Sequence, residues 1–211
     1  MHHLLLRMAI TTSTPLHTTG NRWVWGADRA LPRDGKGLFH IPATTLKGLL
    51  RSNAEAILRA WGHRVCLGTA PGGRCPADSL CCVCQVFGNP SYPAPLRFSD
   101  AIADWDRRPT IRSGVGISRY RKAAMPKLLF FTETAPPNKW LATAEGFFPS
   151  VGTALQAAAL VAMAACTVAA VGADSSRGLG WLGKWQVEAV LDKVPVELQA
   201  LQDQWRAWAG G

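Results

Sequence analysis

Five of the six cysteines in this 211-residue chain lie between residues 63 and 88. Within that segment Cys81 and Cys84 have CxxC spacing, and two further ligand candidates precede them. A CxxC turn directs two thiolates at one tetrahedral zinc ion, and two thiolates from the preceding loop complete its four ligands. The spacing therefore predicts an inserted zinc-binding loop at residues 63–88. Its predicted ligands are Cys66, Cys75, Cys81 and Cys84.

The number of ligands predicts a structural site, and the neighbouring candidate ligands fit it less well. Four sulfur ligands leave no open coordination position for water, so the predicted zinc is structural rather than hydrolytic. His63 is an alternative ligand in place of Cys66 or Cys75, whereas Cys82 cannot easily share a metal ion with both of its neighbours. Cys166 lies in an alanine-rich segment, where we expect a small core residue. Disulfides or unligated buried thiols are the alternatives to a metal.

The composition predicts a folded, basic protein. Hydrophobic residues make up 48% of the chain and there are nine tryptophans, enough for a hydrophobic core. The formal net charge of +9 favours a polyanionic partner. Clustered cysteines without a secretion signal at the N-terminus are typical of a reducing compartment, so we expect a cytoplasmic protein.

One uncharged segment, residues 146–173, is long enough to cross a bilayer. It is rich in alanine, which drives membrane insertion weakly, and Thr153, Gln156 and Thr167 interrupt it. No basic cluster flanks it to set an orientation. We therefore predict a buried helix packed on a sheet, and no membrane partner.

Hydrophobic periodicity predicts a single α+β domain over residues 1–211. A strand at 4–13 is followed by a long polar loop at 16–37 and by a helix at 45–61, with Thr44 or Thr45 as its N-cap. After the cysteine-rich loop come a short apolar stretch at 95–98 and a strand led by the apolar residues 128–131. The last predicted elements are an alanine-rich helix at 151–168, a strand at 185–191 and a helix at 196–208. This order is that of a ferredoxin-like (RRM-like) core with material inserted in its loops.

Five phrases, in the same order along the chain, resemble the RAMP superfamily, specifically the backbone subunit of type III CRISPR effector complexes. They are HIPATTLKGLLRSNAE (40–55), CCVCQVFGNP (81–90), LRFSDA (96–101), RSGVGISRYRKAAMPKLLFFTE (112–133) and SSRGLG (175–180). Two positions depart from the family pattern. The family usually has Pro-Gly-Ser-Ser where this chain has Pro-Ala-Thr-Thr at 42–45, and often has aspartate where this chain has Ser118.

The resemblance implies a subunit that binds CRISPR RNA. Several copies would stack along the guide with other effector subunits, and a β-hairpin thumb at 107–131 of each copy would wedge between guide and target RNA. Met125 or Tyr120 would insert against a base. In active relatives, an aspartate in the first long loop cuts the complementary target RNA at regular intervals.

Cations in three of these phrases are predicted to contact RNA phosphates. Lys47 and Arg51 lie four residues apart near the start of the first helix, where unpaired N–H groups and the helix dipole favour an anion. In the SSRGLG turn, Gly178 and Gly180 would permit close approach of the backbone. An ordinary solvated surface position is the alternative for each cation. The further predicted RNA-binding residues are Arg112, Arg119, Arg121, Lys122 and Arg177.

Asp28, thirteen residues before Ile41, is close to the family's loop aspartate in position, and Asp34 is the alternative catalytic residue. A carboxylate beside a phosphodiester could hold a divalent cation such as magnesium, which would assist attack by the ribose 2′-hydroxyl. An ion pair with Arg29 or Arg33 is the non-catalytic alternative for Asp28.

Two other functions are compatible with the sequence. The chain could be a non-catalytic RNA-binding scaffold of a related complex in which a separate nuclease cuts the target. A zinc-stabilised regulator of duplex DNA would instead need a recognition helix with base-reading side chains, and the basic residues of the helix at 45–61 suit phosphates better.

Overall fold

The computed structural model describes residues 1–20, 24–67, 73, 75–76, 78–104 and 108–210, which form nine β-strands and four α-helices. Residues 68–72, 74 and 77 of the predicted zinc loop lie outside the described residues, as does Arg107 at the start of the predicted hairpin. The strands are β1 (His2–Thr12), β2 (His40–Ile41), β3 (Arg97–Phe98), β4 (Ala101–Ala103), β5 (Thr110–Ser118), β6 (Ala123–Thr134), β7 (Lys139–Phe148), β8 (Leu182–Leu191) and β9 (Val194–Pro195). The helices are α1 (Ala43–Ala60), α2 (Cys82–Phe87), α3 (Val151–Thr167) and α4 (Leu198–Ala209).

Strand β1 lies at the centre of the main sheet. Its alternate residues Leu4, Leu6, Met8 and Ile10 are buried on one side, whereas Arg7 is exposed on the other. β1 pairs antiparallel with β7 on one edge and with β8 on the other. The sheet has the order β2-β4-β7-β1-β8-β9, with β3 also paired to β7. The predicted α+β class is therefore confirmed, and the strands of the main sheet pair antiparallel.

Helix α3 is buried between the main sheet and the other helices. It packs against β1, β7, β8, α1 and α4, and residues 157–165 are all at most 6% exposed. The predicted buried helix is therefore confirmed, and no helix of the described residues is long and apolar enough to cross a membrane. The predicted core position of Cys166 is wrong, because this residue and Thr167 face solvent in the last turn of α3.

Helix α1 begins at Ala43, so the predicted N-caps Thr44 and Thr45 are wrong. Pro42 occupies the N-cap position and offers no side-chain hydrogen bond. The N–H of Ala43 instead donates to Oδ1 of Asp100 at 2.7 Å. A carboxylate from the distant LRFSDA segment therefore complements the start of the helix, which local sequence alone does not reveal.

Strands β5 and β6 form a separate antiparallel hairpin at 110–134, against predicted bounds of 107–131. Near its turn, Oγ of Ser118 accepts a hydrogen bond from the N–H of Arg121 at 3.2 Å. The N–H of Lys122 donates to the carbonyl of Ser118 at 2.8 Å. Serine thus supplies a local hydrogen bond at the position where the family often has aspartate.

The two faces of this hairpin differ in character. Ile111, Val115 and Leu129 share one face and are between 46% and 59% exposed. Gly114 and Phe130 are paired on the other face. The Phe130 ring lies where a Cβ of Gly114 would be, so glycine lets the ring fold back onto its own hairpin.

Candidate nucleic-acid interface and metal centre

Three segments that are far apart in the sequence meet at a cavity of about 420 Å³, here called the arginine cavity. Arg29 comes from the first long loop, Arg112 from β5 and Arg177 from the SSRGLG turn. Phe130 and Asp174 also line the cavity. Three guanidinium groups and one carboxylate give it a formal charge of +2 (3 − 1). Such a cavity favours an anion with several acceptor oxygens, such as a phosphate.

Arg29 is fixed in the wall of the arginine cavity. Its Nη1 pairs with Oδ2 of Asp174 at 2.9 Å, and its Nε–H donates to Oγ1 of Thr132 at 3.1 Å. The guanidinium also lies 5.1 Å from the centroid of the Phe130 ring. A guanidinium that is already ordered loses little further conformational entropy when it binds an anion.

Arg112 and Arg177 are the more accessible cations of the arginine cavity. Arg112 is exposed on β5, and the side chain of Arg177 is 66% exposed although Nη1 pairs with Oδ1 of Asp174 at 3.1 Å. A larger concavity, of about 700 Å³, lies on the open side of the main sheet, but its charges balance. Its charged lining residues are Arg7, Lys139, Asp100 and Glu188. The arginine cavity is therefore the better site for a polyanion.

The tip of the hairpin carries the other predicted cations of this segment. Arg119 and Arg121 lie between β5 and β6 together with Lys122, and all three are exposed. Tyr120, one predicted wedge, is 96% exposed, and Met125, the other, is 45% exposed. An exposed ring among cations is suited to stacking on a base while the cations contact the adjoining phosphates.

Asp28, the predicted catalytic residue, is exposed at the base of the hairpin. Its Oδ2 accepts a hydrogen bond from the N–H of Phe131 at 2.7 Å, and its own N–H donates to the carbonyl of Phe131 at 2.8 Å. Arg29 and Arg33 pair with other carboxylates. The ion pair considered as an alternative role for Asp28 is therefore absent from the described residues.

Asp34, the alternative catalytic residue, organises a local turn. Its Oδ1 accepts hydrogen bonds from the N–H groups of Lys36 and Leu38, both at 2.9 Å. Within the described ranges, no group of three or more histidine, aspartate or glutamate side chains surrounds either Asp28 or Asp34. Asp28 is therefore the aspartate tied to the hairpin, but it offers a cation only one protein carboxylate.

The glycine-rich turn at 175–180 contributes to the fold as well as to the arginine cavity. Gly180 has a φ of 67°, and a Cβ there would overlap with the carbonyl oxygen of Val171. The N–H of Gly180 donates to the carbonyl of Pro15 at 2.8 Å. The close approach at Gly180 is thus to the protein's own backbone, whereas the space around Gly178 is open for 4 Å.

The four predicted zinc ligands lie together, and their Sγ atoms are all within 4.8 Å of one another. The Sγ atoms of Cys66 and Cys84 are 3.4 Å apart, and those of Cys66 and Cys81 are 3.8 Å apart. Zn–S bonds of about 2.3 Å separate the sulfur atoms of a tetrahedral site by roughly 3.8 Å. The donor set and its spacing therefore fit a zinc ion held by Cys66, Cys75, Cys81 and Cys84.

The surroundings of this cysteine cluster separate the ligands from their neighbours. Cys84 is fully buried, and burial is the main cause that raises the pKa of its thiol, so a metal must displace its proton. Cys82 instead lines an apolar groove with Phe148 and Leu160. His63, the alternative ligand, donates from Nε2 to the carbonyl of Trp208 at 2.7 Å and is therefore engaged with α4.

Lys47 and Arg51 have different surroundings on α1. Lys47 is partly buried, and burial, followed by the charge of Arg51, lowers its pKa. Arg51 donates from Nε to Oε1 of Glu55 at 2.9 Å and from Nη1 to the carbonyl of Gly88 at 2.7 Å. Its Nη2 lies 3.7 Å from Sγ of Cys84. Arg51 therefore contacts the cysteine cluster.

The structure brings together only some of the predicted RNA-binding residues. Arg112 and Arg177 meet at the arginine cavity, whereas no described hydrogen bond or ion pair joins Lys47 or Arg51 to the hairpin. Sequence reasoning missed Arg29 as a cavity residue, and it missed Asp174 and Asp100 entirely. The signal for Arg29 was its place beside Asp28 in a basic loop, but its partners became apparent only in the structure.

Comparison with known proteins bears on the identity of the chain. No curated protein matches it. A family model described as the RAMP superfamily matches residues 9–183, which include the first long loop, the cysteine cluster, the hairpin and the glycine-rich turn. The chain therefore belongs to the RAMP superfamily, whose members typically bind CRISPR RNA and form complexes.

Proposed function

We propose that this protein is a CRISPR RNA-binding backbone subunit of a type III-like effector complex. The observation that carries the proposal is the convergence of Arg29, Arg112 and Arg177 on one cavity with a formal charge of +2. A guide phosphate binds in the arginine cavity, and Lys47 on α1 contributes a separate phosphate contact. Neighbouring copies and other effector subunits extend the same RNA path.

The hairpin tip is the proposed wedge between guide and target. Tyr120 stacks on a base at the end of a stacked segment, because its ring is almost fully exposed and cations flank it. The tip cations Arg119, Arg121 and Lys122 contact the adjoining phosphates. This arrangement binds RNA with little dependence on sequence, since every nucleotide has a phosphate and a base face on which a ring can stack.

We assign the core to the ferredoxin-like (RRM-like) class. The sheet order β4-β7-β1-β8 corresponds to the second, third, first and fourth strands of a βαββαβ unit, and α1 and α3 supply its two helices. The hairpin and the cysteine cluster are then insertions between core elements. The cysteine cluster holds a zinc ion that fixes the loop next to α1. This zinc is structural, because four thiolates leave no coordination position for water or substrate.

The RNA-binding proposal is tested by the nucleic acid that the full-length protein retains on purification. We expect a discrete RNA of some tens of nucleotides with a common 5′ end, identified by end-labelling and sequencing. Retention of duplex DNA would favour the DNA-regulator alternative. A random mixture of RNA fragments would contradict the assignment as a guide-binding subunit.

Cleavage of the target RNA is a second candidate function, and the position of Asp28 favours it. The carboxylate is exposed and is oriented by the N–H of Phe131, next to Arg29 in the wall of the arginine cavity. One carboxylate can supply one ligand to a hydrated magnesium ion, with RNA oxygens and water as the others. The ribose 2′-hydroxyl would lose its proton to water and attack the adjacent phosphorus while the bond from phosphorus to the 5′ oxygen breaks. The 5′ oxygen would take up a proton, so the products would be a 2′,3′-cyclic phosphate and a 5′-hydroxyl.

The cleavage proposal is tested with Asp28→Asn and Asp28→Ala in a complex of this protein, guide RNA and complementary target. Asparagine keeps an acceptor for the N–H of Phe131 but removes the charge, whereas alanine removes both. Both variants should therefore abolish regularly spaced cuts while RNA binding is unchanged. Asp34→Asn is the matched control and should cut normally. Undiminished cutting by Asp28→Asn would assign cleavage elsewhere, and the non-catalytic scaffold would then be the remaining function.

A further inference from the structure

One side of α1 contacts both halves of the cysteine cluster. Arg51, Glu55 and Arg59 follow one another at intervals of four residues, so they lie on the same side of the helix. Nη2 of Arg51 lies 3.7 Å from Sγ of Cys84, and Nη2 of Arg59 donates to the carbonyl of Cys66 at 3.0 Å. A single helix thus contacts a ligand from the CxxC turn and a ligand from the preceding loop.

Glu55 joins the two arginines into one unit. Its Oε1 accepts from Arg51 at 2.9 Å and its Oε2 accepts from Arg59 at 3.2 Å, and its side chain is 15% exposed. Arg51 also donates to the carbonyl of Gly88, whose own N–H donates to the carbonyl of Cys84 at 2.9 Å. The guanidinium of Arg51 is therefore held in place by Glu55 and by the carbonyl of Gly88 while its Nη2 faces the sulfur atom.

The charge of the cluster explains why a guanidinium lies there. A neutral thiol sulfur is a weak hydrogen-bond acceptor, whereas a thiolate makes a charge-assisted hydrogen bond. Four thiolates around one divalent zinc ion carry a net charge of −2 (2 − 4), and a partly buried charge needs a nearby counter-charge. Arg51 supplies such a counter-charge, because its Nη2 lies next to the sulfur of Cys84.

We propose that Arg51 is a positioning residue of the metal site, which stabilises Cys84 as a thiolate ligand and is committed to that sulfur rather than to an RNA phosphate. This inference rests on the proposed zinc site, and its metal-binding part is independent of RNA binding. Lys47, one turn earlier on α1, is then the residue of the predicted helix pair that remains for RNA. The metal site and α1 form one unit through Arg51.

The inference is tested with cobalt(II), which replaces zinc in thiolate sites and gives a thiolate-to-metal charge-transfer absorption. The RNA-free full-length protein, Arg51→Gln and Arg51→Lys are titrated with cobalt, and zinc affinity is measured by competition with a chelator. We expect Arg51→Gln to weaken metal binding by about 10- to 100-fold, the usual range for a residue that supports a ligand. The charge-transfer band of Arg51→Gln should move to lower energy because the sulfur loses a counter-charge. Arg51→Lys should recover part of the metal affinity and part of the band position.

Two matched variants separate contact with the sulfur from general support of the loop. Arg59→Gln removes a hydrogen bond to the carbonyl of Cys66 and none to a sulfur atom, so it should lower affinity without moving the band. Arg206→Gln, on α4 and 71% exposed, should change neither quantity. A wild-type band and wild-type affinity in Arg51→Gln would overturn the inference. Failure of the unmodified protein to take up cobalt or zinc would instead overturn the zinc site itself.

The commitment of Arg51 to sulfur has its own test. The slope of log K against log salt should be the same for Arg51→Gln and for the unmodified protein on single-stranded RNA. A decrease of about 0.7 in the slope would mean that Arg51 neutralises a phosphate, and it would overturn this part of the inference.

Discussion

The cysteine cluster and the arginine cavity are built in opposite ways. The four sulfur ligands come from a segment of fewer than twenty residues, whereas the three arginines come from residues 29, 112 and 177. The ligand set was predictable because CxxC spacing and a preceding loop nearly specify the geometry of a tetrahedral site. The arginine cavity was not predictable as a unit, since only the fold brings its three segments together.

The two sites also differ in how far they depend on the rest of the molecule. The cysteine cluster is supported by one side of α1, through Arg51 and Arg59. The arginine cavity depends on the first loop, the base of the hairpin and the glycine-rich turn at once. We therefore expect metal-site variants to act locally and cavity variants to respond to changes in distant packing.

The largest expected effect is that of Cys84→Ser on metal binding. Zinc contributes an apparent free energy of about 10–16 kcal/mol in small zinc-dependent peptides, so the loss of one buried thiolate should weaken zinc binding by roughly a thousandfold or more. Competition with a chelator measures it, and Cys166→Ser, which changes an exposed cysteine outside the cluster, is the control. If the sites are as separate as proposed, the salt slope of RNA binding stays unchanged.

The next largest effect is expected from a double variant, Arg112→Gln with Arg177→Gln. Each change removes a cation from the arginine cavity, so RNA affinity should fall by roughly tenfold for each, and the salt slope should fall by about 0.7 for each phosphate that is no longer neutralised. Fluorescence anisotropy with single-stranded RNA at several salt concentrations measures both. Zinc affinity should be unaffected. An unchanged slope would show that the cavity does not bind phosphate.

A smaller effect is expected from Gly114→Ala, which leaves every charge in place. A Cβ at Gly114 would overlap with the Phe130 ring, so the ring must shift from its present position 5.1 Å from the Arg29 guanidinium. We expect the free energy of unfolding to fall by about 1 kcal/mol, the lower end of the range for overpacking, because the end of the partly buried Phe130 ring can shift. RNA affinity should fall with an unchanged salt slope. Gly35→Ala is the control, because the space around Gly35 is open for 4 Å. Equal stability of the two variants would contradict the close packing of Phe130 on Gly114.

The smallest effect is expected from acid, through His17. This residue is fully buried, with Nδ1–H donating to the carbonyl of Glu133 at 2.7 Å, and burial is the main cause that lowers its pKa. Below the unfolded pKa of about 6.5, the unfolded chain binds the proton more readily, so stability should decrease as the pH falls toward the folded pKa. Denaturant unfolding between pH 7 and pH 5 should show a weaker pH dependence for His17→Asn than for the unmodified protein.

That comparison isolates the histidine, since acid also protonates the zinc ligands in both proteins. His17 is linked to one wall of the arginine cavity, since its carbonyl accepts a hydrogen bond from the N–H of Ala173, the residue before Asp174. The same pH dependence in both proteins would mean that His17 does not titrate during unfolding.

Much of the fold follows from local patterns. The alternation in β1, the hydrophobic stripe of α1 and the long apolar run of α3 each predict an element correctly, because burial of one side is encoded within a short window. The predicted N-cap of α1 was wrong because the group that binds the start of the helix comes from a distant segment. Threonine is a good local cap, but Asp100 from another segment reaches the first helical N–H.

The candidate site likewise has some features that local sequence patterns predict and others that depend on distant partners. The spacing of the cysteines predicted the four-cysteine cluster, and the family phrases predicted the basic hairpin. The contacts of Arg51 and Arg29 could not be predicted, because each has a partner more than thirty residues away in the chain, Cys84 for Arg51 and Thr132 for Arg29. Neither partner has a sequence pattern that points back to its arginine.

By itself, then, the sequence determined the chemistry available to this protein: a cluster of cysteines spaced for a metal ion, an excess of cations and membership in the RAMP superfamily. Tertiary structure alone decided which cations share a site and which are already paired. The physical reason is one of range. Burial periodicity and ligand spacing act between near neighbours in the chain, whereas a salt bridge or a cavity depends on where separate segments come to lie.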